Sequence, residues 1–258
     1  MPPKAHPMRN FLQAINLLTR IPVHVRWDTN RPLGQTLAWA PAVGLLIGGL
    51  LLAAAWALSA VMPAGSAPLL VPALLLALWV LLTGGLHLDG WCDSCDGLFV
   101  TADRAKRLEI MKDPRAGSFG VIGTVLLLLV KLAALQGVMH AGMQVHAGWL
   151  PLLAAPVAAR GMMVATAAWL PLARPGGMGA KFREGLGMPQ LLIAGVVMAV
   201  VLVACGRAGM VCGLAALAAA TLWAILAIRR LGGLTGDIYG AITELAETAA
   251  LVAVCCLR

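Results

Sequence analysis

Residues 68–97 read PLLVPALLLALWVLLT and then Gly84-Gly85-Leu86-His87-Leu88-Asp89-Gly90-Trp91-Cys92-Asp93-Ser94-Cys95-Asp96-Gly97. The first part is an apolar run of membrane-spanning length. The second gathers three carboxylates, a histidine and four glycines where that run ends. If this second part is helical, Asp89, Asp93 and Asp96 fall within an arc of roughly 60° on one face. Like charges so close resist ionising together unless a cation holds them, and an all-oxygen set suits a hard ion, Mg²⁺ before Zn²⁺. A solvated acidic helix cap is the plainer explanation, but acidic caps rarely come packed among glycines. His87 lies about 160° round a regular helix from Asp89, so it joins the carboxylates only if the backbone breaks. Gly84, Gly85 and Gly90 could supply that break. His87 would then contact a phosphate or act as acid or base; otherwise it is an interfacial histidine bonded to backbone.

The rest of the chain makes the apolar reading general. Of 258 residues 60% are hydrophobic and 12% charged, and the mean hydropathy is +0.88. That composition predicts an all-α, polytopic membrane protein rather than a soluble domain. Apolar runs at roughly 36–61, 68–86, 118–139, 149–171, 189–206, 209–228 and 238–257 predict about seven transmembrane helices. The fifth and sixth are expected to form a tight hairpin. An amphipathic segment from Asn10 to Ile21 is expected to lie on the membrane surface. No repeat and no linker divides the chain, so residues 1–258 are read as one catalytic domain with an N-terminal arm at 1–35.

The formal net charge is +8, and its placement excludes a nucleic-acid partner. The positives lie in alternate loops, and basic stretches with interleaved aromatics are lacking. Lys4, Arg9, Arg20, Arg26 and Arg31 precede the first span, while the loop at 62–67 carries no charge. Arg104, Lys106, Arg107, Lys112 and Arg115 fill the next loop, and 140–148 is again uncharged. Arg174, Lys181 and Arg183 face the lone Arg207, and Arg229 and Arg230 return to the basic side. This alternation predicts a cytoplasmic N-terminus in an inner membrane and puts every polar block on the cytoplasmic side. The N-terminus does not read as a cleavable signal. The six cysteines form no disulfide framework; Cys92 and Cys95 make a C-x-x-C without a second pair to complete a zinc site.

Two further blocks carry chemistry. In Glu109-Ile-Met-Lys-Asp113-Pro-Arg115-Ala-Gly117-Ser-Phe-Gly120, Pro114 and Gly117 predict a turn and Ser118 an N-cap. Free N–H groups there, with Arg115, would suit a phosphate, and Asp113 could complete a second cation site. A capped helix with a surface salt bridge is the bland alternative. The other block is Gly232-Gly-Leu-Thr235-Gly-Asp237-Ile-Tyr-Gly240-Ala-Ile-Thr-Glu244-Leu-Ala-Glu247. On a helix, Asp237, Glu244 and Glu247 span about 80° with Gly240 inside the arc. Glu244 and Glu247 are deep enough in an apolar segment to need a polar cavity, a cation or an arginine. Arg160, near the middle of a span, needs an internal partner: Glu244, Glu247 or a substrate phosphate. Lys131 is expected to snorkel to the outer face. Gly176 to Arg183 is read as a glycine-rich loop with two cations that could cover a nucleotide, or as an ordinary inside-positive loop. Histidines 6, 24, 140 and 146 have no constellation around them.

The three blocks together, H-x-D-G-x-x-D-x-x-D-G foremost, resemble the cobalamin synthase family, the adenosylcobinamide-GDP ribazoletransferases. The resemblance runs nearly end to end; Cys92 and Cys95 replace residues that are small or apolar in the family. It implies that α-ribazole or its 5′-phosphate attacks adenosylcobinamide-GDP with release of GMP, giving adenosylcobalamin or its phosphate. The residues alone reach only Mg²⁺-dependent phosphoryl transfer. In this reading Asp89, Asp93 and Asp96 carry metal, Asp237, Glu244 and Glu247 form a second acidic wall, and a carboxylate or His87 takes the hydroxyl proton. Arg115, Lys181 and Arg160 would hold phosphates, with Asp113 and Thr235 completing the substrate set. The expected partners are the two substrates and membrane lipids, and a homo-oligomer is compatible with the sequence.

Two rivals remain. A CDP-alcohol phosphotransferase would place an Ala-Arg pair shortly after D-x-x-D-G, whereas Leu98-Phe99-Val100 follows Gly97 here. A cation-coupled transporter would put its carboxylates near the midplane and often show paired repeats.

Overall fold

A computed structural model describes residues 7–25, 32–62, 68–144 and 146–256. Lys4, His6, Arg26, Arg31 and most of the uncharged loop at 62–67 lie outside the described residues. Among the described residues twelve α-helices follow in order: α1 Pro7–Leu18, α2 Leu33–Leu37, α3 Ala40–Val61, α4 Leu70–Thr83, α5 Leu86–Phe99, α6 Arg104–Ile110, α7 Ser118–Gln144, α8 Pro151–Trp169, α9 Gly177–Arg183, α10 Met188–Ala204, α11 Gly206–Leu231 and α12 Gly236–Cys255. Among the described residues there is no strand, only an isolated parallel bridge between Leu172 and Leu234.

Five of these helices, α3, α7, α8, α11 and α12, are long and apolar enough to cross a membrane. The second and fifth expected spans fall on α4 and α10, which reach that length only together with α5 and α9. Each pair is bent by 91°. The protein is thus a polytopic helical membrane protein, with seven spans if each bent pair counts as one. The tight hairpin expected between the fifth and sixth runs is present, for Cys205 alone separates α10 from α11.

α8 is buried along most of its length and packs against α3, α10, α11 and α12. Small residues allow this. Gly44 and Gly48 of α3 face the carbonyls of Pro156 and Leu152 so closely that a Cβ would stand 2.6 Å from either oxygen. The N-terminal helix covers most of the segment expected to be amphipathic. α1 buries Ala14, Ile15 and Leu18, and the Thr36 hydroxyl lies 3.5 Å from the Gln13 carboxamide. Through these residues, together with Asn10, α1 packs against α2 and α3.

The break between α4 and α5 has a clear cause. Gly84 and Gly85 both have positive φ, 63° and 71°, and Gly85 N–H donates to Val80 O while Gly84 N–H donates to Leu81 O. This pair of hydrogen bonds closes α4 in a Schellman turn and lets α5 leave at a steep angle. α5 then runs unbroken through Gly90.

The basic loops meet at one end of the bundle. Gly34 N–H donates to Glu184 O, Arg104 donates to Ala173 O at 2.7 Å, and Leu234 N–H donates to Pro171 O. Segments from the N-terminal arm, α6, the residues flanking α9 and the approach to α12 are thereby tied together.

Candidate functional site

α5 and α12 cross at glycine. A Cβ at Gly90 would lie 2.7 Å from the Asp237 carbonyl oxygen, and one at Gly240 would lie 3.2 Å from the Cα of His87. This near contact of backbones brings the first and third sequence blocks together. Asp93, half-buried, stands in the field of Asp89, Asp237 and Asp96. Asp89 is exposed and Asp237 partly buried. Thr235 caps α12 by accepting from Ile238 N–H, and its hydroxyl donates to Asp237 Oδ2 at 3.1 Å. Arg174 adds a positive field at Asp237; nothing in its sequence setting distinguished it from the other loop cations.

Asp96 is used differently. Its Oδ2 accepts from Gly117 N–H at 2.7 Å and its Oδ1 from Gly120 N–H at 2.8 Å, in a buried position. The protein therefore supplies its own anion to the start of α7. Those N–H groups are not free for a phosphate, and both oxygens of Asp96 are turned toward backbone donors. The far end of α5 is clamped as well: Arg107 Nη1 donates to Gly97 O and Leu98 O, and its Nε to Ala102 O.

Glu244 and Glu247 lie elsewhere. Seven residues beyond Asp237 is about 10 Å further along the helix, and there both carboxylates meet cations. Lys131 Nζ donates to Glu244 Oε2 at 2.9 Å and to Glu247 Oε2 at 2.5 Å. Arg160 Nη1 donates to Glu247 Oε1 at 2.6 Å. All four side chains are at least 94% buried. The internal partner expected for Arg160 is thus Glu247. Lys131 does not snorkel outward: it turns inward to the two glutamates and sits 4.2 Å from the ring centroid of Trp79. Desolvating a lone carboxylate or ammonium costs far more than extending a lysine stem gains, so charges of opposite sign are gathered instead.

His87 belongs to this buried side. The break precedes it at Gly84-Gly85, so regular helix carries it away from the aspartates. Its charged neighbours are Arg160, Glu247 and Lys131, and both ring nitrogens are buried without hydrogen-bond partners. It bonds to neither an aspartate nor backbone.

The remaining sequence candidates are at the surface. Arg115 donates to both carboxylate oxygens of Asp113, Nε to Oδ1 at 3.0 Å and Nη2 to Oδ2 at 2.8 Å. These bonds hold the Asp113 carboxyl down at about 2. Lys181 is exposed on α9, whose Gly179 lies against Thr235 and Gly236. The expected glycine-rich loop is therefore helical from Gly177 to Arg183, and it abuts the block that carries Asp237, with Arg174 in the same small crevice.

Six carboxylates do not form one wall. Among the described residues no three His, Cys, Asp or Glu side chains enclose a metal ion by themselves. Asp89, Asp93 and Asp237 still lie within one another's electrostatic field. Mg²⁺ fits such a set, because it keeps several waters and is commonly held by one or two carboxylates together with substrate phosphates.

No solved structure matches this chain. The family profile described as cobalamin-5-phosphate synthase matches residues 10–255. The chain is 42% identical over 251 residues to the adenosylcobinamide-GDP ribazoletransferase of Stutzerimonas stutzeri, covering 95% of this chain and 97% of that protein. It is 43% identical over 252 residues to the protein of the same name from Pseudomonas aeruginosa, at the same coverage. It is 35% identical over 254 residues to that of Brevibacillus brevis, covering 95% and 97%. With the first and third sequence blocks joined at the α5–α12 crossing, the second tied to α5 through Asp96, and the match running almost end to end, this chain belongs to the cobalamin-5-phosphate synthase family.

Proposed function

We propose that this membrane enzyme transfers α-ribazole, or its 5′-phosphate, onto adenosylcobinamide-GDP and releases GMP; its relatives are named adenosylcobinamide-GDP ribazoletransferases. A ribose hydroxyl forms a P–O bond to the phosphorus that carries the cobinamide, the P–O–P bond to GMP breaks, and the hydroxyl proton passes to a carboxylate. The observation that carries the site is the meeting of Asp89 and Asp93 on α5 with Asp237 on α12 where Gly90 and Gly240 let the helices touch.

Asp93 stands among the other aspartates and is the residue best placed to be essential. Asp89 is the exposed member, open to an incoming hydroxyl as its proton acceptor. Asp237 is oriented by Thr235. When bound, Mg²⁺ would neutralise diphosphate oxygens and the charge that develops on the departing GMP. Arg174 and Lys181, beside the glycine-rich loop, are the cations available for the nucleotide phosphates. Arg160 is committed to Glu247, and Arg115 to Asp113. The joining of the basic loops at one end, with the aspartates there, supports a cytoplasmic active site in the inner membrane.

The test is GMP release by the purified protein in nanodiscs across a Mg²⁺ titration. Asp93→Asn should lose transfer while inserting and folding normally. An Asp93→Asn protein with full activity would remove this assignment. Release of CMP from a CDP-alcohol instead of GMP would favour the phospholipid-forming rival.

A further inference from the structure

A groove of about 600 Å³ opens on the flank of the bundle between the first half of α5 and α7. Leu88, Val121 and Val125 give it apolar walls, and Asp89 and Thr124 are its hydrogen-bonding side chains on the two helices. Arg20 completes the lining beside Gly84. The chain places that arginine deliberately. Arg20 N–H donates to Leu82 O at 2.7 Å, pinning the segment after α1 to the end of α4. Its side chain lies across Gly84, where any Cβ would collide with the arginine's Cγ and Nε. The guanidinium makes no ion pair among the described residues, and this exposed cation shares a groove with the exposed carboxylate of Asp89.

The volume is right for a nucleoside and too small for a corrin macrocycle. The walls decide between the two nucleosides of the reaction. Guanine carries a row of donors and acceptors that leucine and valine leave unpaired, at a cost for each unmet group. A benzimidazole has no exocyclic polar group and loses nothing against such walls. We infer that this groove is the acceptor subsite, and that Arg20 is a specificity residue which binds the 5′-phosphate of α-ribazole phosphate while Asp89 faces the attacking ribose hydroxyl. This rests on the transferase reading above and extends it to the choice between phosphorylated and free acceptor. A phosphate of a lipid headgroup offers the guanidinium similar chemistry, so the experiment must separate the two.

The full chain is reconstituted in phosphatidylcholine nanodiscs and in nanodiscs containing phosphatidylglycerol. GMP release is measured with α-ribazole 5′-phosphate and with α-ribazole for the unmodified enzyme, Arg20→Ala and Arg20→Lys. The readout is the ratio of kcat/KM values for the two acceptors, an internal control that a general folding defect does not move. The unmodified enzyme should prefer the phosphorylated acceptor. Arg20→Ala should reduce that preference about 10- to 100-fold, mainly through KM, as expected for loss of a charge-assisted hydrogen bond. Arg20→Lys should retain part of it, with the same pattern in both lipids. An unchanged ratio in Arg20→Ala would overturn the subsite. So would a loss shared by both acceptors that follows the phosphatidylglycerol content, which assigns Arg20 to lipid. Failure of the unmodified enzyme to release GMP with either acceptor removes the transferase reading itself, a different result from an active enzyme with an intact preference in the variant.

Discussion

Lys131 of α7 and Glu244 of α12, 113 residues apart in sequence, are joined by a 2.9 Å ion pair inside the bundle. Glu247 and Arg160 complete the cluster, which draws α7, α8 and α12 together. Two carboxylates and two cations balance there, and removing one member leaves an uncompensated buried charge. Lys131→Met should therefore destabilise the protein by about 3–5 kcal/mol. The double variant Lys131→Met/Glu244→Gln should recover part of that loss, since the two residues act through one contact. Thermal unfolding in detergent checks both, and additive losses would show that the pair is not coupled.

Asp93 and Asp96 sit three residues apart on α5 but have different duties. Asp96 accepts two backbone N–H bonds at the start of α7. An Asp96→Asn carboxamide can accept one of them but presents an NH₂ to the other. We expect Asp96→Asn to lower stability by about 0.5–2 kcal/mol, the range for a lost helix cap. Asp93→Asn should leave unfolding unchanged. The comparison reads unfolding temperature and GMP release on the same preparations; a stable, inactive Asp96→Asn protein would return that residue to the catalytic set.

The spans were legible because membrane length and apolarity are properties of a single segment, read without knowing the neighbours. The acidic faces were legible for the same reason, since helical spacing alone puts Asp89 and Asp93 on one side. What spacing does not carry is which element approaches that side. Asp96 met the N-terminus of α7, and Glu244 met Lys131, through contacts set by the packing of helices distant in sequence. The glycines held part of that information. Gly90 and Gly240 mark the crossing of α5 and α12, but a glycine suited to a break and one suited to close approach look alike until the partner is known. Hence the break was expected as far along as Gly90 and ends at Gly85.

Asp113 and Arg115 give a pH dependence of known sign. The Arg115 hydrogen bonds hold the Asp113 carboxyl at about 2, below the ordinary value of about 4 for an unfolded chain. The contribution is therefore present above about pH 4 and is lost as pH falls through about 2. The pair lies at the surface, with Arg115 exposed and Asp113 partly so, so the effect on overall stability should be small and screened by salt. Infrared difference titration of Asp113→Asn against the unmodified protein should reveal one carboxylate that protonates near pH 2. In Arg115→Gln that signal should move up toward 4. A band that titrates near 4 in both proteins would show that the pair does not form in solution.

Gly90 tests the site by geometry rather than by charge. A methyl group there would meet the Asp237 carbonyl oxygen at 2.7 Å and its Cα at 3.1 Å. These are backbone atoms at the first turn of α12, so they cannot rotate aside and the helix end must retreat. Asp237 would retreat with it and away from Asp93. A displacement on the order of 1 Å at a reacting centre costs about 100-fold in rate, so Gly90→Ala should lower kcat to that degree with all carboxylates intact. Gly85 provides the control: a Cβ there meets nothing within 4 Å, but its φ of 71° disfavours any side chain. Gly85→Ala should thus cost stability more than rate. Unfolding temperature and kcat measured on both variants separate the two effects. An unimpaired Gly90→Ala enzyme would show that the approach of α5 to α12 does not set the position of Asp237.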